Sequence, residues 1–212
     1  MTKGPMKKLL LIRHGSPHEG HSALPSDPPL DAAGHRHARR LAKALADENI
    51  DRIVCSPQRR ALDTAAPLAE LLGLEVEIVE GVAEVDRYVT TRYRSAETIR
   101  REEPQRWAEF SRSPARFLGR DPLEYRNTVI SAFTELIERG CGSHVAVVSH
   151  GMTINTVLRA VVGAPGERNG LFAIGHCSVT RLSGSSLSRM RVDSVNESVC
   201  RPVRTRSART AP

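Results

Sequence analysis

Two histidines, each followed by glycine, stand directly behind short apolar runs: Arg13-His14-Gly15 after LLLI, and His150-Gly151 after VAVVS. A neutral imidazole nitrogen is a capable nucleophile toward phosphorus. A guanidinium presents a planar fork that grips phosphate oxygens two at a time. Arg13 adjoins the first histidine, and Arg59 and Arg60 follow another apolar run in SPQRRALDTA. If Arg13, one of the Arg59/Arg60 pair and His150 ring His14, charge spreading over a transferring phosphoryl group meets fixed donors. One acid is still needed to protonate a leaving alcohol. Glu84 in GVAEVD fits that role, with Asp86 as its local rival. Gly15 and Gly151 let the backbone turn sharply and come close to a ligand.

These residues are scattered along the chain, so regular elements must gather them. Residues 7–13 (KKLLLIR), 51–55 (DRIVC), 74–79 (LEVEIV) and 144–149 (HVAVVS) read as strands, the apolar ones as strands buried on both faces. Residues 171–174, 179–182 and 189–192 read as the last short strands. Between them, Ala38, Leu41, Ala42 and Leu45 recur at helical spacing behind Asp31, a fitting N-cap. Ser56-Pro57 reads as the N-cap and first-turn proline of a helix that stops at Gly73. Residues 126–139 and 152–162 read as two more helices. Strands alternating with helices predict a three-layer α/β/α sandwich around a mostly parallel sheet. In open sheets of this kind ligands bind at the carboxyl ends of the strands. His14, Glu84 and His150 all fall there, and a helix opening just behind His150 adds N–H groups and a positive dipole end suited to an anion. Residues 15–29 form a Gly/Pro/Ser-rich loop. Residues 81–125 mix charges with Tyr88, Tyr93, Trp107, Phe110 and Phe117 and read as a helical insertion, or lid. The expected organisation is one catalytic domain over residues 1–200 with that insertion, and a basic tail over 201–212.

Composition narrows the field. A hydrophobic content of 40% and a charged content of 26% are ordinary for a globular protein. No apolar run approaches the length of a membrane helix, and residues 9–12 are too short for a signal core, so a cytoplasmic protein is expected. Cys55, Cys141, Cys177 and Cys200 show neither a CxxC pair nor zinc spacing, which fits thiols in a reducing compartment. The net charge is +7, but the last twelve residues carry four arginines and no acid, leaving +3 for the rest. With aromatic residues at 4%, stacking of bases is poorly served, and nucleic acid is not the expected partner. His18 and His21 lie near His14 without a carboxylate or cysteine to complete a ligand set, so no metal is expected. His176 and Cys177 read first as packing residues, with substrate contact as the lesser alternative. Oligomeric state is not legible; a dimer is one option.

The motifs together carry a resemblance. Arg13-His14-Gly15 resembles an RHG signature, and Ser56-Pro57-Gln58-Arg59-Arg60-Ala61 with Thr64-Ala65 resembles S-P-x-x-R-A-x-x-T-A. Pro29-Leu30-Asp31 with Gly34 is similar to P-L-T-x-x-G, and Ala83-Glu84 and Val148-Ser149-His150-Gly151 complete the series in order. On these motifs the chain resembles the histidine phosphatase (phosphoglycerate mutase-like) superfamily, branch 1, in its small bacterial phosphatase-type members. The resemblance implies a phosphomonoester hydrolase that forms a phosphohistidine on His14 without metal or cofactor, acting on a small phosphorylated metabolite. It gives the phosphate-binding role to Arg60 rather than Arg59, alongside Arg13 and His150, and the proton-donor role to Glu84. Many relatives continue RHG-E-T-x-x-N, whose Asn helps bind phosphate; here Ser16 and His18 are the candidates to stand in. The E-R-x-Y-G-x-L segment of cofactor-dependent mutases is absent, which favours hydrolysis over a phosphomutase. A non-catalytic phospholigand- or nucleic-acid-binding protein is the remaining alternative, and it has no need of the acid.

Overall fold

Successive residues of the first strand serve two different cores. In a computed structural model, which describes residues 6–19, 26–91, 93–138, 142–165 and 170–198, strand β1 (Lys7–Arg13) sends Leu9 and Leu11 to one face and Leu10 and Ile12 to the other. Strand β4 (His144–Ser149) repeats the alternation with Val145 and Val147 against Ala146 and Val148. Side chains of a strand alternate faces, so a run buried on both sides must be apolar throughout.

One face is covered by α1 (Ala32–Ala44) and α2 (Arg59–Leu72), through Leu41 and Ala42 on the first and Ala61, Ala65 and Leu68 on the second. The other is covered by α6 (Pro122–Glu138) and α7 (Gly151–Val161), through Val129, Phe133, Ile154 and Leu158 among others. With β2 (Arg52–Cys55), β3 (Val76–Ile78), β5 (Ser178–Gly184) and β6 (Arg191–Ser198), the sheet runs β3-β2-β4-β1-β5-β6. The first four strands in that order are mutually parallel, and β5 and β6 are antiparallel additions at one edge. This is the expected three-layer α/β/α sandwich. Three short helices, α3 (Ala96–Glu102), α4 (Pro104–Arg112) and α5 (Pro114–Phe117), fall within the expected insertion.

Local signals held where they were strongest. Asp31 caps α1, its carboxylate accepting from Gly34 N at 2.5 Å. Gly73 ends α2 in the left-handed conformation, φ 64°. Three readings are corrected. The helix expected from Ser56-Pro57 begins at Arg59, capped in backbone only by Gln58, while the Asp27 carboxylate accepts from Arg59 N. Residues 171–174 form no strand; the Phe172 N–H and C=O are taken instead by the Asn155 side chain on α7. The last strand spans 191–198 rather than 189–192, paired along β5. The 201–212 tail, Cys141, Cys200 and His21 lie outside the described residues.

Gly34 fixes how α1 meets the loop behind His14. A Cβ there would overlap the Ser16 carbonyl oxygen, a backbone atom that cannot step aside cheaply. Gly34→Ala is therefore expected to destabilise by about 1–3 kcal/mol through overpacking, read as a lowered urea midpoint at unchanged m-value.

Candidate active site

His14 sits at the carboxyl end of β1, 2% exposed, with its backbone held from three sides. Its N–H donates to Ser149 O at 2.9 Å at the end of β4, and Cys177 N donates to Arg13 O at 3.0 Å. The next residue is held by α2, because Gly15 N donates to Thr64 Oγ1 at 2.9 Å. The imidazole itself is oriented by its own chain: Nδ1 lies 2.7 Å from Gly15 O. A carbonyl oxygen only accepts, so Nδ1 carries the proton and Nε2 keeps its lone pair. Burial first, then Arg60, His150 and Arg13, hold the His14 pKa well below the usual imidazole range. The ring is therefore neutral with Nε2 available as a nucleophile.

Two more imidazoles flank it. The His150 ring centroid is 5.0 Å away and that of His176 is 5.4 Å away. His150 Nε2 lies 2.8 Å from Ser56 Oγ, leaving its buried Nδ1 with no hydrogen-bond partner among the described residues. His176, at the turn into β5, lines the cavity in front of His14 with Nε2 also unpartnered, and burial followed by Arg13 pushes its pKa down to about 4. Of the two expectations for His176, packing and substrate contact, its place in the cavity lining favours the second. Its neighbour Cys177, with φ 53°, turns the chain back over β1.

The guanidiniums converge on the same point. Arg60, on the first turn of α2, is 1% exposed and donates through Nη2 to both Asp86 carboxylate oxygens, at 2.8 and 3.0 Å. Burial opposes its charge, and Asp86, Tyr93 and Glu84 together outweigh that cost. Among the described residues its Nε and Nη1 have no hydrogen-bond partner, although Nη1 lies 3.6 Å from the Asp27 carboxylate, and Arg13 Nε likewise has none. Arg13 Nη1 donates to Ile174 O at 2.6 Å and pairs with the exposed Glu97 carboxylate of α3 at 3.3 Å. Buried donors left unpaired are expensive. Here Arg13, Arg60, His150 and His176 all hold such nitrogens around His14, the arrangement an oxyanion with several oxygens would satisfy.

Glu84 lines the same cavity, between two turns of 3-10 helix, Glu80–Val82 and Val85–Tyr88. Its carboxylate accepts from Met152 N, Val85 N and the Tyr125 hydroxyl, each at 3.0 Å. Those N–H donors lower its pKa, but burial and the nearby Asp86 outweigh them, and the net shift is upward. The N–H groups opening α7, expected to face a ligand, are thus partly spent on Glu84. Asp86, the rival acid, instead holds Arg60 and accepts from Gln58 Nε2 at 2.8 Å. Arg59, the other arginine of the pair, is outside the cavity lining, as is His18, whose side chain is exposed. Ser16 donates to Asp31 at 2.8 Å and so braces the α1 cap rather than the cavity. Gly151 lines the cavity, where a Cβ would lie 3.6 Å from Arg13 Nε. Among the described residues no group of three or more His, Cys, Asp or Glu is placed to hold a metal ion.

The family model of the histidine phosphatase superfamily (branch 1) matches residues 9–197. The chain belongs to that superfamily. Phosphoserine phosphatase 1 of Hydrogenobacter thermophilus is 30% identical, over 74% of this chain and 77% of that protein. A protein of Yersinia enterocolitica named "Probable phosphoglycerate mutase GpmB" is 28% identical over 84% and 85%. Among solved structures, a mycobacterial glucosyl-3-phosphoglycerate phosphatase superposes with a TM-score of 0.70 over 91% of this chain and all of that one, at 24% identity. This histidine phosphatase is accordingly an enzyme of the phosphohydrolase type, built on the phosphoglycerate mutase-like fold.

Proposed function

We propose that this histidine phosphatase hydrolyses a small phosphomonoester through phospho-His14, with residues 1–200 acting as one catalytic domain. The observation that carries the reading is the Nδ1 contact of His14 to Gly15 O, which leaves Nε2 as a lone-pair nucleophile amid guanidinium and imidazole nitrogens without hydrogen-bond partners among the described residues. In the first step the Nε2–P bond forms as the ester P–O bond breaks, and protonated Glu84 gives its proton to the leaving oxygen. In the second, water attacks phosphorus, the P–N bond breaks, and the Glu84 carboxylate takes the water's proton. Arg13, Arg60 and His150 hold the phosphoryl oxygens throughout. His176 adds the neutral N–H donor that the substituted loop behind Gly15 does not supply.

A cytoplasmic location fits the buried thiols Cys55 and Cys177, and among the described residues no helix is long and apolar enough to cross a membrane. The mutase reading draws on the GpmB relative. On phosphoglycerate, release of inorganic phosphate rather than transfer to a second hydroxyl is the expected result. A screen of phosphorylated metabolites with and without EDTA tests the function. Phosphate release insensitive to EDTA is expected, because the guanidiniums and imidazoles supply the positive field; loss of activity with EDTA, restored by a divalent metal, would sink this mechanism.

A further inference from the structure

Three oxygen–oxygen contacts run in series from the Glu84 carboxylate. Oε1 lies 3.0 Å from the Tyr125 hydroxyl of α6, that hydroxyl lies 2.8 Å from Thr153 Oγ1 of α7, and Thr153 Oγ1 donates to Ala83 O at 2.8 Å. Tyr125 and Thr153 are buried. The Tyr125 phenol keeps its proton, because burial first and then the Glu84 charge push its pKa well up. Each hydroxyl has a single proton to give, and a carbonyl oxygen can only accept. With the Thr153 proton on Ala83 O, Thr153 turns a lone pair toward Tyr125. Thr153 and Glu84 then compete for the Tyr125 proton.

The outcome depends on the state of Glu84. When it is ionised, Oε1 takes the Tyr125 proton, and the Tyr125 and Thr153 oxygens face each other with no hydrogen between them. When it is protonated on Oε1, the carboxyl O–H donates to Tyr125, Tyr125 donates to Thr153, and every contact is filled. A buried contact left without its hydrogen is costly, and linked hydroxyls polarise one another. We propose that Tyr125 and Thr153 are positioning residues that hold the proton on Glu84 between turnovers, so that the acid meets substrate already loaded. As the Glu84 O–H bond breaks and the leaving oxygen takes the proton, the Tyr125 hydroxyl turns back to the new carboxylate. This rests on Glu84 being the acid of the proposed mechanism. The charged groups acting on Glu84 are Asp86 on the turn behind it and Arg60 on α2. Arg13 and His14 share its cavity, and Glu80, Arg87 and Arg120 share a smaller pocket with it. A change at Thr153 removes none of them.

The test is the pH profile of kcat/KM on an alkyl phosphate for wild type, Thr153→Val and Thr153→Ser. The Glu84 carboxyl carbon is followed in parallel by ¹³C NMR titration and assigned by its loss in Glu84→Gln. Thr153→Val removes the competing acceptor, so the Tyr125 proton stays with the carboxylate and the ionised form gains. The alkaline limb and the Glu84 midpoint should move together to lower pH by about half to one pH unit, the worth of one hydrogen bond. Thr153→Ser keeps the hydroxyl and should leave both in place. An unmoved midpoint in Thr153→Val overturns the proposal, even with a lowered plateau, which is what a merely structural role would give. A midpoint that moves without the limb, or in a protein with no turnover, supports the hydrogen-bond chain and overturns Glu84 as the acid instead. If Thr153→Val does not fold, wild-type protein labelled at tyrosine Cζ decides: the Tyr125 signal should shift with the Glu84 midpoint, and an unmoved signal overturns the chain.

Discussion

His14→Ala is expected to lower phosphate release from an aryl phosphate by at least about 10⁴-fold, the scale on which covalent catalysis collapses when its nucleophile is removed. The geometry makes the residue hard to replace. Its ring is fixed by Gly15 O, its backbone by Ser149 and the residue behind it by Thr64. Neither neighbour has a ring nitrogen fixed as His14 has: His150 Nε2 is engaged by the Ser56 hydroxyl, and His176 Nε2 has no hydrogen-bond partner among the described residues. Neither should take over as nucleophile. The alanine leaves a small apolar void among guanidiniums, so binding of inorganic phosphate, measured by calorimetry, should largely survive. Turnover within tenfold of wild type would contradict the assignment.

Glu84→Gln should cost about 10²–10⁴-fold on an alkyl phosphate, the usual worth of a positioned acid–base group. The loss should shrink on p-nitrophenyl phosphate, whose leaving group needs no proton. The pH profile carries the sign. His14 must be neutral, so kcat/KM rises as pH increases through its lowered pKa; Glu84 must be protonated, so kcat/KM falls as pH increases through its raised one. Both shifts are set first by burial. The two shifts together widen the window for hydrolysis, and in Glu84→Gln the alkaline limb should vanish while the acid limb remains. An unchanged alkaline limb would assign it to another group, with Asp86 the first to examine.

Much of this was legible in the chain for a physical reason. Residues 7–13 and 144–149 are buried on both faces, so their apolar runs admit few other readings, and each ends at a His-Gly whose place at a strand end follows from the topology. Asp31 and Gly73 carry capping chemistry in their own side chain or backbone freedom. The misread positions depend on partners distant in sequence. Ser56 looks like a cap because Pro57 follows it, yet its hydroxyl reaches His150. Residues 171–174 are apolar enough for a strand, but Asn155 takes the Phe172 backbone groups and Arg13 the Ile174 carbonyl before any strand can. Asp86 stands two residues from Glu84, and only the intervening 3-10 turn sends it to Arg60. His176 left the faintest signal. Its approach to His14 needs the left-handed turn at Cys177, a conformation a cysteine does not advertise.

The most direct measurement is chemical trapping of the phosphoenzyme. Wild-type protein mixed with a ³²P-labelled phosphomonoester and quenched in alkali should carry one label per chain, stable in base, lost in acid, and mapped to the peptide containing His14. His14→Ala should carry none, and Glu84→Gln should slow both formation and decay of the label. A wild-type enzyme that turns over substrate without any base-stable label, or a label that persists in His14→Ala, would contradict the phosphohistidine mechanism.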